Sequence, residues 1–324
     1  MKAISIVIPT YNGHRLLAQH LPAVVAAMKP GDELIISDDA STDDSISWLE
    51  HVFNLTKTKH TTTHDLYENS IFSGNRRTTE NFLVSLDKKI SVKVIANATN
   101  QRFAKTVNRG VEQASHELLC LLNNDVEPTQ NCFEVLVTSF EHRSQNQPVF
   151  GVGCLEHEPQ LSGEPVLGGK NKLWFARGLF VHSRAKNFET GETSWISGGS
   201  GLFDRDKWQE LGGFSTHYYP AYWEDIDLSY RAKQRGWQIW FSAEAIVQHL
   251  HESTNSSVFG QKQMEIVSFR HGLVFTWRNG TWWQRLQFLL WLPYHSTVTA
   301  YRTKGAFLAG LVLFAKYVLG QETP

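Results

Sequence analysis

Four groups of polar residues in this 324-residue chain have the types and spacing to do chemistry. Pro9-Thr10-Tyr11-Asn12-Gly13 follows one β-branched run, Asp38-Asp39-Ala40-Ser41-Thr42-Asp43 follows a second, and Asn123-Asn124-Asp125 follows a third. The fourth, Glu224-Asp225, opens a stretch with Leu228, Arg231 and Ala232 at helical spacing. Carboxylates, amides and an aromatic ring brought together from three strand ends would form a pocket for a base, a ribose and a metal-bound diphosphate. Asp and Asn also favour turns and helix N-caps, which accounts equally well for any one cluster alone. Three clusters, each at a strand end, favour the pocket.

The elements needed to hold those ends are visible in the hydrophobic pattern. Strands are expected at Ile4–Ile8, Glu33–Ser37, Val92–Ala96 and Leu118–Leu122, and helices at Leu16–Met28, Ser45–Val52 and Ala104–Ala114. Strand and helix in alternation predict an α/β fold, with a mostly parallel sheet and right-handed crossovers. The strands lack clean alternation, as expected when both faces are covered, and ligands in such sheets sit outside the carboxyl ends. Residues 51–91 interrupt this rhythm with about forty residues of mixed polarity, read as an insertion with its own structure. A short helix is expected there at Arg77–Leu86.

Ser5-Ile6-Val7-Ile8-Pro9-Thr10-Tyr11-Asn12 and Ile36-Ser37-Asp38-Asp39-Ala40-Ser41-Thr42-Asp43 resemble the opening of a family 2 glycosyltransferase of GT-A fold. Asn100 to Gly110 is similar to that family's next block, and Leu121-Leu122-Asn123-Asn124-Asp125 to its metal-binding D-x-D position. Gly198 to Arg205 resembles the acceptor-side block. Leu211-Gly212-Gly213-Phe214, then Trp223-Glu224-Asp225-Ile226-Asp227-Leu228, resembles the catalytic block. The likeness runs in order from about residue 3 to residue 250. It implies an inverting transfer of one sugar from a nucleotide-sugar donor to an acceptor hydroxyl. Such a transfer needs a held nucleotide, charge relief on the leaving diphosphate and a base.

For the donor, the resemblance implies Pro9, Tyr11, Asn12, Asn100, Phe103, Asn108 and Asn124, with either Asp38 or Asp39 on the base and Tyr11 stacked against it. Mg²⁺ or Mn²⁺ would sit on Asp125, with Asn123 in place of the first acidic residue of D-x-D. An amide oxygen binds a cation more weakly than a carboxylate does. His249, after an expected strand at Ala245–Gln248, resembles a position that reaches the metal or diphosphate. A zinc reading of His249-Leu250-His251-Glu252 fails for want of a matching Cys or His cluster. Gly198, Gly199, Trp223 and Glu224 fall on the acceptor side, Asp225 at the base position, and Asp227 in a structural role.

Other classes lack their signatures. The first strand is followed by neither a Gly-rich basic phosphate loop nor G-x-G-x-x-G, against a nucleotidyltransferase and a dinucleotide oxidoreductase. A non-catalytic nucleotide-sugar-binding protein would have lost Asp125 or Asp225. A processive polysaccharide synthase would carry Q-x-x-R-W, and Gln234-Arg235-Gly236-Trp237 has other spacing. With 31 basic against 32 acidic residues, no bulk charge points to nucleic acid. Three irregularly spaced cysteines and no signal-peptide pattern lead us to expect a cytoplasmic location.

The last part of the chain differs from the rest. Residues 1–250 read as the catalytic domain, and 251–324 as a helical, basic, Trp-rich region. Ten of eleven tryptophans follow residue 173, and residues 266–321 hold no Asp or Glu against six Arg and Lys. The apolar runs Thr281–Leu292 and Ala306–Ala315 are too short to span a bilayer. They fit helices lying in the inner face of the cell membrane, beside a polyprenyl-linked saccharide acceptor, or helices packed on protein. The acceptor and catalytic blocks, together with the hydrophobic C-terminus, look like rhamnosyltransferases of cell-envelope assembly, with UDP, dTDP and GDP all open as the donor nucleotide.

Overall fold

The computed structural model describes residues 1–61, 63–77, 83–160, 163–250 and 260–321, with 69–77 and 83–89 described by their backbone. In chain order the first half runs β1 (Ile4–Thr10), α1 (His14–Ala27), β2 (Glu33–Asp38), α2 (Ser45–Phe53), β3 (Thr56–His60), β4 (His64–Arg77), β5 (Leu83–Asn97) and α3 (Arg102–Glu112). It continues through β6 (Leu118–Leu122), β7 (Val126–Pro128), α4 (Cys132–Ser144), β8 (Val149–Glu158), β9 (Val166–Gly168), β10 (Asn171–Ala176) and β11 (Leu179–Arg184). Then come β12 (Gly191–Glu192), β13 (Ser200–Asp204), α5 (Arg205–Glu210), α6 (Glu224–Gln234) and β14 (Gln238–His249). Three longer helices follow, α7 (Gln261–Asn279), α8 (Trp282–Tyr294) and α9 (Ala306–Val318), with a π-helical turn at His295–Thr299 and a single turn at Ala300–Arg302 between the last two.

The main sheet has the order β12-β14-β8-β13-β6-β1-β2-β5-β4-β3, with β7 on β14 and β9 on β8. Parallel pairing holds through β5-β2-β1-β6 and again between β8 and β14. Antiparallel β13 lies between those two blocks, so the sheet is mixed. Ile4, Ile6 and Ile8 of β1 pack into the layer holding α1, α2 and α4, while Val7 packs against α3 and α6 on the other face. Burial on both faces explains why these strands read as continuous apolar runs. Gly110 lets α3 lie against β1, because a Cβ there would come within 2.5 Å of Val7 Cγ1.

The inserted segment does carry its own structure, but not a helix at Arg77–Leu86. Arg77 ends β4 and Leu83 begins β5, paired antiparallel, with 78–82 outside the described residues. Strand propensity depends on cross-strand partners, which a ten-residue window does not display. The apolar run expected at Val92–Ala96 is only the end of β5.

The C-terminal helices share a core with the rest. Phe275, Phe288, Phe307 and Phe314 pack with Phe180, Trp195, Tyr218 and Trp223. Among the described residues no helix is long and apolar enough to cross a membrane. The three cysteines are buried and unbridged, with Cys132 and Cys154 sulfurs 3.9 Å apart.

Candidate active site

A cleft of about 320 Å³ opens at the carboxyl edge of the sheet. Pro9, Thr10 and Tyr11 line it from the end of β1, Asp39 from beyond β2, and Asn123, Asn124 and Asp125 from beyond β6. Asn100 and Phe103 line it at the start of α3, Gly198 and Gly199 before β13, Glu224 and Asp225 at the start of α6, and His249 at the end of β14. β13 runs antiparallel to β6, which brings its beginning, rather than its end, to this edge.

Short bonds hold the converging loops together. Asp39 N donates to Thr10 O at 2.8 Å, and Asn124 Nδ2 donates to Thr10 Oγ1 at 3.0 Å. Asn123 N donates to Gly199 O at 2.9 Å, and a Cβ on Gly199 would lie 2.4 Å from the Asn123 amide. A side chain at 199 would therefore push Asn123 away. Of Asp38, which ends β2, and Asp39, which follows it, only Asp39 lines the cleft. Its oxygens accept from Gln101 N at 2.6 Å and Arg102 N at 2.7 Å, tying β2 to the start of α3.

Four residues expected in the site lie outside its lining. Asp38 is fully buried and accepts from Ser41 N at 2.9 Å and from the Ser41 hydroxyl, so it shapes the loop after β2. Burial raises its pKa, against the lowering effect of the Ser41 bonds. Asn12 Oδ1 accepts from Thr42 N at 2.7 Å, joining the loops after β1 and β2. Trp223 is buried against His182 and Phe275, at centroid distances of 5.0 and 5.1 Å. Asn108 is turned away from the cleft and bonds both backbone groups of Phe214, at 2.8 and 2.9 Å. In each case a polar or aromatic residue in the right block is used by neighbouring backbone or core. Replacing Asn108 with Ala strands both Phe214 groups and should cost about 2 kcal/mol of stability. Chemical denaturation would register this as a lower midpoint, with nucleotide affinity unchanged.

The carboxylates of the cleft are not equivalent. Burial pushes Glu224 up to about 8, helped by the charge of Asp225, and burial pushes Asp225 up to about 6. Both carboxyls are thus pushed toward the neutral form, Glu224 further than Asp225. Asp225 accepts from Ile226 N at 2.8 Å and from Gly198 N at 3.4 Å. Just before α6, Tyr222 and Trp223 hold left-handed φ values of 75° and 79°. Neither is glycine, so the turn that delivers the acidic pair is strained, as turns at functional sites often are. Asp227 points elsewhere, pairing with Arg231 at 2.7 Å and accepting from Tyr218 Oη and Asn279 Nδ2, each at 2.9 Å.

Across the cleft, His249 Nε2 faces Asp125 Oδ1 at 3.5 Å, and its Nδ1 lies 4.0 Å from Glu156 Oε2. Burial disfavours the imidazolium, but the hydrogen bonds and charges of Asp125 and Glu156 outweigh it and lift His249 to about 10. Asp125 offers an oxygen to a cation that completes its shell with phosphate oxygens and water, and His249 could join as a ligand only where the cation takes the place of its proton. Among the described residues no three His, Cys, Asp or Glu side chains form a metal cage, and Asn123 leans on Gly199.

The motifs do not single out Glu156 and Arg102, whereas Tyr222, part of the aromatic approach Tyr218–Trp223, does line the cleft. Glu156 is a buried acid ending the apolar run of β8, and its carboxylate also accepts from the Ser200 hydroxyl. An acid closing such a run was a signal. Arg102 lines the cleft, opens α3 at φ 65° and donates to Tyr219 Oη at 3.3 Å.

A family model described as "Glycosyltransferase like family 2" matches residues 49–267, and one described as "Glycosyl transferase family 2" matches residues 5–88. The chain is 23% identical over 257 residues to the O-antigen chain rhamnosyltransferase RfbN of Salmonella typhimurium, covering 79% of this chain and 69% of that protein. It is 21% identical over 262 residues to the poly-beta-1,6-N-acetyl-D-glucosamine synthase of Staphylococcus aureus, covering 81% of this chain and about half, 53%, of the synthase. The mannosyltransferase PcManGT from Pyrobaculum calidifontis, solved with GDP-Man and Mn²⁺, superposes with a TM-score of 0.54 at 14% identity. That match covers 99% of this chain and 88% of the other, a likeness of fold alone.

Proposed function

This chain belongs to glycosyltransferase family 2 and has the GT-A fold, and from that premise we propose that it transfers a single sugar, with inversion, from a nucleotide-sugar to an acceptor hydroxyl. The transfer serves cell-envelope polysaccharide synthesis, and the acceptor is a polyprenyl-linked saccharide at the inner face of the cell membrane. The observation that carries this is the placement of Asp225 in one cleft with Asp125 and His249. The likeness to RfbN supports rhamnose as the sugar transferred. PcManGT, with its GDP-Man and Mn²⁺, supports a nucleotide-sugar donor and a divalent cation.

Asp225 takes the proton of the acceptor hydroxyl while that oxygen bonds to the donor's anomeric carbon. The bond from that carbon to the diphosphate breaks, and its electron pair leaves on the phosphate oxygen. Asp39, Tyr11, Pro9 and Asn100 hold the nucleotide, and Phe103 and Asn124 close the cleft around it. Gly198 and Gly199 leave room for the sugar beside Asp225. Asp125 and His249 would hold Mg²⁺ or Mn²⁺, which neutralises the charge developing on the diphosphate when bound. The stronger upward push on Glu224 supports Asp225 as the charged member of the pair, a separation of acid and base achieved by environment.

Two measurements test this reading. Incubation with UDP-, dTDP- and GDP-linked sugars, with and without Mn²⁺, should give one extended acceptor whose new linkage is inverted by NMR. A polymeric ladder, a retained anomer or no product with any donor would sink it. The pH profile is a second check. A raised pKa means the base form is lost as pH falls through about 6, so kcat/KM should drop about tenfold per pH unit below that. A profile flat down to pH about 4.5 would remove Asp225 as the base.

A further inference from the structure

The C-terminal helices bury one face and leave another bare. Phe288 of α8 and Phe314 of α9 meet in the core with ring centroids 5.8 Å apart. On the outer face of α8, Trp282 is 62%, Trp283 58% and Leu290 70% exposed, with Leu286 and Leu289 exposed between them. At 100° per residue these five fall within an arc of about 120°. α9 repeats the pattern with exposed Leu308 and Val312, and Leu319 just beyond it.

Charge identifies the occupant. Residues 266–321 contain no acidic side chain, while Arg278, Arg285, Arg302, Lys304 and Lys316 are exposed around the apolar faces. An apolar face rich in Trp and Leu, on a segment whose charged residues are all cations, is complementary to an anionic phospholipid surface. We propose that α8 and α9 form a docking surface for an anionic bilayer, with Trp282, Trp283 and Leu290 entering the boundary between headgroups and acyl chains.

The same helical unit holds a wall of the cleft. In α7, His271 lies against the carbonyls of Tyr219 at 2.9 Å and Tyr222 at 3.1 Å, and Arg270 donates to His217 O at 2.9 Å. Trp282 follows His271 by eleven positions, eight of them helical, so the two lie within roughly 25 Å. Docking through α8 therefore keeps this wall of the cleft within roughly that distance of the membrane surface, where the head of a lipid-linked acceptor would be. Only this last step rests on the proposed reaction.

The test uses the full chain and vesicles without sugar. It should co-sediment with vesicles of phosphatidylcholine and phosphatidylglycerol at least tenfold better than with phosphatidylcholine alone. The double variant Trp283→Glu, Leu290→Glu should lose at least tenfold in partitioning while binding nucleoside diphosphate as the parent does. Equal binding to both vesicle types, or a double variant that partitions like the parent, would overturn the proposal. So would a stable dimer that the double variant dissociates, since the face would then belong to a second copy. Intact docking with no sugar transfer would count against the reaction and leave the docking surface standing.

Discussion

Substituting Asp225 with Asn is expected to lower kcat by about 10²–10⁴-fold, the usual contribution of a positioned general base. The affinity for a nucleoside diphosphate with Mn²⁺ should stay unchanged. The amide has the same shape, and its oxygen can still accept from Ile226 N, which now lies at 2.8 Å. It cannot take up a proton. The variant should also neutralise a charge beside Glu224, which Asp225 now helps to hold protonated, so Glu224 should ionise more readily. That gives a readout beyond activity: the apparent pKa of Glu224, followed by NMR, should fall in the variant. Turnover within about tenfold of the parent would remove Asp225 from the role.

Asp125→Ala should have the second large effect, at least a hundredfold loss in kcat/KM, consistent with the several kcal/mol that metal charge stabilisation supplies. Its more direct signature is in binding. Titration calorimetry of the parent should show nucleoside diphosphate binding tightened by Mn²⁺, and that tightening should vanish in the variant. His249→Ala should weaken it by less, because an imidazole contributes no negative charge. The variant should fold, since Asp125 sits at the cleft wall rather than in either main core cluster. Mn²⁺-dependent binding that survives Asp125→Ala would move the cation elsewhere and undo the assignment.

Part of this arrangement is legible in the amino-acid sequence alone. The buried strands are, because β1, β2 and β6 are covered on both faces and admit little but apolar residues. The polar clusters after them are legible for the same reason: where the apolar run stops, the sheet edge begins. The long arms of β4 and β5 are not, because what holds them extended is their pairing with each other, from Arg77 with Leu83 to His64 with Asn97, while the local composition is compatible with a helix.

Within the site, the chemical type and block of each residue could be read along the chain, but its direction could not. Asp38 and Asp39 are neighbours of one type, yet one is spent inside its own loop and the other lines the cleft. Asn108 and Trp223 fall in the right blocks and point into packing. Consecutive residues leave a strand or helix in different directions, and only the surrounding elements determine which direction meets the cleft. The approach of Glu156 to His249 joins segments roughly ninety residues apart, and that of His271 to the loop before Asp225 joins segments about fifty apart. Sequence alone thus determined which residues could do chemistry and where their strands end; tertiary structure decided which of them face one another, because that depends on contacts between segments with no local signal.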